Sequence, residues 1–133
     1  MSVTFDVIVA GDIIEHLNNI GNFLHCLKRH MTPETDLILT TPNPFDVERF
    51  IVCLIRNAVG VNPDHTVWLD PVVMWRTLDR AGLRIVGFTW TMTRFRSISG
   101  PGVASQLARV LSGWITRVRP AMQSDYAVVV KLS

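Results

Sequence analysis

Two short and nearly continuous apolar runs, residues 5–10 and 36–41, constrain the fold of this chain more than any other feature. Apolar residues that do not alternate with polar ones are typical of parallel strands covered on both faces. Residues 22–30 lie between the two runs and place Leu24 and Leu27 at helical spacing. A strand, a helix and a second strand over this length predict a right-handed βαβ unit, whose strands pair in parallel.

The rest of the chain predicts further helices and strands. The clearest helix start is Asp70-Pro71, because Asp caps a helix N-terminus and Pro fits its first turn. The further elements are helices at 45–58, from Asp70 to Gly82 and at 103–118, and strands at 83–90 and 126–132. At 133 residues, of which 48% are hydrophobic, the chain is predicted to form a single α/β domain with three layers and a mostly parallel sheet.

The charge of the chain is unevenly distributed. The net charge of +2 is too small to demand a nucleic-acid partner. Residues 91–124 nevertheless carry five Arg and no acidic residue, whereas residues 1–90 have a net charge of −3. The basic segment is predicted to be a helical insertion before the last strand. Its amphipathic helix at 103–119 suits contact with a membrane surface, or a lid over an anionic or lipid-linked acceptor. The alternative is an ordinary docked helix whose basic side faces solvent.

The cysteines and the N-terminal residues indicate the cell compartment in which the protein is expected. Cys26 and Cys53 both lie in apolar helical patterns and are predicted to be small buried hydrophobic residues, as is usual in a reducing compartment. The first six residues lack the basic and apolar segments of a secretory signal. The most apolar helix, within 50–61, is too short to cross a bilayer. A cytoplasmic location is therefore expected.

Three segments in a fixed order resemble the second half of class I S-adenosylmethionine-dependent methyltransferases. Phe5 to Leu17 resembles their fourth strand and the Glu-His-Leu loop after it, and Leu37 to Pro44 resembles their fifth strand with its Thr-Pro-Asn exit. Asp64 to Leu83 resembles the later helix and the sixth strand. The resemblance implies a Rossmann-like sheet with strands in the order 4-5-7-6, S-adenosylmethionine as cofactor, and methyl transfer to a small-molecule or anionic acceptor.

The sequence departs from that family where the cofactor loop belongs. The Gly-x-Gly loop that cradles the cofactor and the acidic residue that ends the second strand have no counterpart here. The resemblance places Gly11 and Asp12 in the cofactor site, and a residue without a Cβ lets a ligand approach the backbone. The alternative is that Gly11 only makes a tight turn. The chain alone is expected to be inactive. Three interpretations are open: a fragment or a mis-set start, a half completed by another chain, or a non-catalytic interaction module.

A group of chemically active side chains follows the first strand. Asp12, Glu15 and His16 lie on one face if the turn is helical. Some members of the family, including ubiquinone-pathway O-methyltransferases and small-RNA 2′-O-methyltransferases, bind a divalent metal through such a motif, and the resemblance makes His65 a further ligand. The favoured alternative is structural, with Asp12 as N-cap and Glu15 completing a capping box. His16 and His65 are also the candidate general bases, since imidazole titrates nearest to neutral pH.

The first strand is predicted to lie at an exposed edge of the sheet. In the family it is flanked by strand one, which has no counterpart in this sequence. Residues 5–10 contain no Pro or Lys that would block pairing with another strand. Self-association through this edge, or a partner that supplies the absent strands, is therefore expected.

Overall fold

The predicted strands and helices are present in the computed structural model, which describes residues 3–57, 61–91 and 103–133. The strands are β1 Val7–Gly11, β2 Asp36–Pro42, β3 Leu83–Thr91 and β4 Asp125–Leu132. The helices are α1 Ile20–Lys28, α2 Val47–Arg56, α3 Pro71–Arg80 and α4 Val103–Val118, with short 3₁₀ turns at Ile14–His16 and Pro120–Met122. Arg94 and Arg96 of the predicted basic insertion lie outside the described residues.

The strands form one sheet in the order β1-β2-β4-β3. β1 and β2 pair in parallel, and β4 pairs antiparallel with both β2 and β3. The described sheet is therefore mixed, with three of its four strands pointing the same way, and the predicted strand order is confirmed. Gly11, Pro42 and Thr91 end these three strands at one edge of the sheet, which we call the carboxyl edge. Open α/β sheets bind their ligands at this edge.

One face of the sheet carries the hydrophobic core. Leu24 of α1 and both Met74 and Leu78 of α3 are fully buried against it. On the opposite face, Val7 and Val9 of β1 are 54% and 67% exposed. The prediction that this strand is covered on both faces is therefore wrong for the described part of the chain, because α1 and α3 pack on the same side of the sheet.

The helix start predicted at Asp70 is confirmed. Its side chain accepts hydrogen bonds from the backbone N–H groups of Val72 and Val73, at 2.8 and 3.1 Å. The residue before it, Leu69, accepts a 2.7 Å hydrogen bond from the hydroxyl of buried Tyr126 in β4. Burial raises the pKa of Tyr126, which keeps its hydroxyl protonated as a donor. These contacts fix the point where the chain passes into α3.

The two cysteines do not lie where the sequence predicts them. Cys26 and Cys53 are free and exposed rather than buried. Cys26 lies two residues beyond buried Leu24, roughly 200° around the helix, so it faces away from the core. Cys53 lies in the C-terminal half of α2, which is exposed. In the described ranges of the chain, no helix is long and apolar enough to cross a membrane.

The Thr-Pro-Asn exit of β2 is held by the side chain of Asn43, which is fully buried. Its amide nitrogen Nδ2 donates to the carbonyl oxygens of Ala121 and Gln123, at 2.9 and 2.8 Å. Its Oδ1 accepts from the N–H of Phe45 at 3.1 Å. The side chain therefore joins the end of β2 both to the turn before β4 and to the segment that leads into α2.

Replacing Asn43 with Asp should destabilise the fold, because a carboxylate cannot donate and would face two carbonyl oxygens. A buried polar group left unsatisfied costs about 1–3 kcal/mol, so we expect the free energy of unfolding to fall by about 2–4 kcal/mol. Urea denaturation followed by circular dichroism measures this loss. Asn18→Asp, on the exposed surface, is the matched control. An equal loss in both variants would contradict the role assigned to Asn43.

Candidate functional site

The residues after β1 turn sharply at the carboxyl edge. Asp12 adopts a left-handed backbone conformation with φ of 49°, which Asp tolerates better than most residues. Its N–H lies 3.1 Å from both the carbonyl and the hydroxyl oxygen of Thr40, and that hydroxyl donates to Asp12 Oδ1 at 3.0 Å. The predicted capping box is therefore wrong. The 3₁₀ turn that follows has Ile13 at its N-cap, with no side-chain hydrogen bond.

Gly11 ends β1 beside this turn and is exposed. It does not supply the unusual backbone angle, since the positive φ falls on Asp12. A Cβ added at Gly11 would lie 3.3 Å from the hydroxyl oxygen of Thr40. The close approach to Thr40 therefore explains the glycine better than the turn does.

Glu15 points inward, unlike an ordinary surface glutamate. It is 2% exposed, and its Oε2 accepts a 3.0 Å hydrogen bond from the hydroxyl of Thr41 near the end of β2. Its other carboxylate oxygen, Oε1, is buried with no hydrogen-bond partner among the described residues. A buried carboxylate oxygen of this kind is costly unless a cation or a proton pairs with it.

The backbone of Glu15 brings a distant loop to the same place. Its carbonyl oxygen accepts from the N–H of Thr66 at 2.8 Å, from the N–H of Val67 at 3.3 Å, and from the Thr66 hydroxyl at 3.1 Å. We call residues 62–67 the site loop. Because His65 lies in the site loop, these bonds place it beside the turn after β1.

His16 has its ring fixed by the site loop. Its Nδ1 lies 3.0 Å from the carbonyl oxygen of Asp64, and because a carbonyl only accepts, Nδ1 carries the hydrogen. This tautomer leaves a lone pair on Nε2, the form in which imidazole binds a metal or accepts a proton. The rings of His16 and His65 meet edge to face, with their centroids 4.7 Å apart.

Three of the four predicted metal ligands come together. One ligand atom each from Glu15, His16 and His65 lies within 4.8 Å of the others, and we call these residues the cluster. Nδ1 of His65, like Oε1 of Glu15, is buried with no hydrogen-bond partner in the described chain. Asp12 is not part of the group, because its carboxylate accepts from Thr40 instead. Two imidazoles, one carboxylate and two unpaired buried atoms fit a divalent cation.

The electrostatics of the cluster favour a neutral His65. Burial lowers the pKa of His65 below its ordinary value of 6.5. The Glu15 carboxylate opposes this shift, and the neighbouring His16 adds to it. The ring is therefore neutral at pH 7, and a neutral imidazole can either bind a metal ion or accept a proton.

An apolar pocket adjoins the cluster. Trp68 connects the two, because its ring centroid lies 5.7 Å from that of His65, and the guanidinium of Arg49 lies 4.5 Å from the same indole. The pocket has a volume of about 510 Å³. Its apolar walls include Phe45, Phe50, Cys53, Trp68 and Met122. Sequence reasoning missed this pocket, because its walls come from separate segments and no local pattern joins them.

Comparisons with known proteins agree with this fold. No known family profile matches the chain. The mitochondrial ubiquinone biosynthesis O-methyltransferase of Rattus norvegicus is 27% identical over 86 residues, which cover 61% of this chain and 25% of that protein. A SAM-dependent methyltransferase from Archaeoglobus fulgidus has a TM-score of 0.61 at 20% identity, over 98% of this chain and 60% of its own. Another, from Mesorhizobium loti, has a TM-score of 0.55 at 11% identity, over 98% and 64%.

The chain has the fold of the S-adenosylmethionine-dependent methyltransferases, and the predicted resemblance to their class I family is confirmed. It spans 25% of the length of the curated relative and between 60% and 64% of the two solved chains. The sheet order β1-β2-β4-β3 is the order that the resemblance implies for the second half of that fold.

The lowered pKa of His65 makes stability depend on pH. Unfolding returns the pKa to 6.5, so the folded state holds its proton less tightly than the unfolded chain does. The contribution of His65 is therefore fully present above pH 6.5, and it is lost as the pH falls from there toward the lowered pKa. Urea denaturation across this range, with a chelator present, measures the effect.

His65→Gln should flatten this pH dependence, because the variant has no group there to protonate. His25→Gln is the control, since His25 is exposed on α1 and lies outside the cluster. If His65→Gln kept the full slope, another group would be responsible for it.

Proposed function

We propose that the chain forms the acceptor side of an S-adenosylmethionine-dependent methyltransferase. The observation that carries this proposal is the cluster at the carboxyl edge, next to an apolar pocket. Ligands of open α/β sheets bind at this edge. The acceptor is a small molecule with an apolar portion, which lies in the pocket against Phe45 and Trp68.

The residues of this chain fit part of a site for the cofactor. Gly11 and Asp12 leave β1 at the carboxyl edge, and Gly11 exposes backbone that a ligand can approach. When bound, S-adenosylmethionine would supply the methyl group from its sulfonium. The sequence has no counterpart of the family's first strand with its Gly-x-Gly loop, since Gly100-Pro101-Gly102 follows no suitable strand–helix context, and it has no counterpart of the ribose-binding acid. Most hydrogen bonds to the cofactor would therefore come from outside this chain.

The chain by itself should bind S-adenosylmethionine weakly. Each hydrogen bond that is not made removes about 0.5–1.5 kcal/mol, and several are missing. Isothermal titration calorimetry should give a dissociation constant above about 10 µM, which corresponds to about −7 kcal/mol. A tighter constant would contradict the assignment of this chain to the acceptor side alone.

We further propose that Glu15, His16 and His65 hold a divalent cation. The bond from His16 Nδ1 to the carbonyl of Asp64 is the kind of outer contact that orients a metal-binding imidazole. Two imidazoles with one carboxylate favour Zn²⁺ or Mn²⁺ over Mg²⁺, which prefers oxygen ligands. A bound cation would orient an acceptor hydroxyl and lower its pKa. The protein keeps the three side chains aligned, and burial keeps the imidazole of His65 neutral.

A second role for the histidines is supported by the lowered pKa of His65. Without a metal, the neutral imidazole of His65 is a candidate general base for the acceptor, and His16 is the second candidate. The two roles exclude each other at a given nitrogen, because a lone pair that binds a metal cannot accept a proton.

Dialysis against Zn²⁺ followed by metal analysis distinguishes the two roles. We expect about one Zn²⁺ per chain and a rise in Tm, because a ligand that binds only the folded state stabilises it. His65→Ala should lose both effects, whereas His25→Ala should keep both. A parent chain that retains no metal, or equal losses in the two variants, would favour the general-base role.

The open edge of β1 supports a half-domain that pairs with further strands. β1 pairs with β2 alone in the described sheet, and its Val7 and Val9 are exposed. Unpaired N–H and C=O groups at such an edge accept another strand, from a partner or from a second copy. A non-catalytic interaction module would use the same edge.

A cytoplasmic location of the protein stays a prediction.

A further inference from the structure

Helix α4 exposes its apolar side and buries a polar one. Ser112 and Thr116 are both buried, and the Thr116 hydroxyl donates to the Ser112 carbonyl at 2.9 Å. The apolar residues at helical spacing are exposed instead: Leu107, Val110, Leu111, Trp114 and Val118. A helix docked on its own protein has the reverse arrangement. The alternative of an ordinary docked helix is therefore not supported.

Helix α2 contacts α4 and also exposes apolar side chains. Phe50, Leu54 and Ile55 of α2 are all exposed. We call these three residues, together with the five of α4, the apolar platform. Apolar surfaces of this extent mark sites of interaction rather than ordinary solvent-facing protein.

The exposed charged side chains beside the platform are positively charged arginines. Arg117 and Arg119 are exposed at the C-terminal end of α4, and the chain has no acidic residue from 91 to 124. The acidic residue of α2, Glu48, is buried. An apolar helix face that carries Trp and is flanked by Arg is typical of helices that lie in the interface of an anionic bilayer.

We propose that the apolar platform docks on an anionic lipid membrane. A membrane offers hydrocarbon to the platform and phosphate groups to Arg117 and Arg119. A second copy fits less well, because α2 and α4 of that copy offer the arginines no exposed carboxylate to pair with.

Docking sets the apolar pocket against the lipid. Phe50 belongs both to the platform and to the pocket wall, and exposed Phe45 lines the same pocket. An acceptor with a lipid tail then reaches the cluster without leaving the membrane. This consequence for the acceptor rests on the proposed methyltransferase function, whereas the docking itself does not.

Co-sedimentation with vesicles tests the docking in the absence of cofactor and metal. The parent chain should bind vesicles of equal parts phosphatidylcholine and phosphatidylglycerol, and bind pure phosphatidylcholine vesicles far less. Val110→Asp, at a position 72% exposed, should weaken binding about tenfold. Arg117→Gln combined with Arg119→Gln should weaken it about fivefold for each arginine removed. Circular dichroism checks that each variant is folded.

Val72→Asp is the matched control, because Val72 is 66% exposed on α3, outside the platform. It should bind vesicles as the parent chain does. No binding by the parent chain, or equal losses in the two valine variants, would overturn the proposal. A parent dimer that Val110→Asp separates, without vesicle binding, would assign the platform to a second copy and overturn it too. Failure of the metal or cofactor tests leaves the vesicle result unchanged.

Discussion

The carbonyl oxygen of Glu15 is the contact on which the site depends. It accepts hydrogen bonds from Thr66, 51 residues away, and from Val67, and so fixes the site loop to the turn after β1. Together with the bond between His16 Nδ1 and the carbonyl of Asp64, these bonds hold His65 beside Glu15. Trp68, which follows the loop, stands between the cluster and the pocket. One residue therefore supports the site with its backbone and contributes to its chemistry with its side chain.

The functional parts meet at the carboxyl edge for a topological reason. β1, β2 and β3 all end there, so the segments that follow them, which carry the cluster, α2 and α4, begin at the same edge. The helices α1 and α3 instead lie across one face and supply the core. Most of the hydrophobic core and the cluster thus lie in different segments. Substitutions in the cluster or on the platform are expected to leave the hydrophobic core intact.

Local sequence patterns were sufficient for the sheet and insufficient for the site. Apolar runs predicted β1 and β2, and Asp70-Pro71 predicted the start of α3. Asp12 was predicted as an N-cap because a short window shows only Glu15 three residues on, whereas its partner is Thr40 on a neighbouring strand. Two further features could not be predicted for the same reason: the bond from Thr66 to Glu15, and the exposure of the apolar side of α4. Residue spacing does not say which distant segment packs against which side of a helix or turn.

The tautomers of the two histidines report whether Glu15, His16 and His65 are already arranged as a cluster before any metal binds. Long-range ¹H–¹⁵N correlation spectra of the metal-free chain, recorded above neutral pH, report which ring nitrogen carries the hydrogen. We predict that His16 is protonated at Nδ1 and that a nuclear Overhauser effect joins its ring to that of His65, since the centroids lie 4.7 Å apart. A His16 protonated at Nε2, with no cross-peak to His65, would contradict the account.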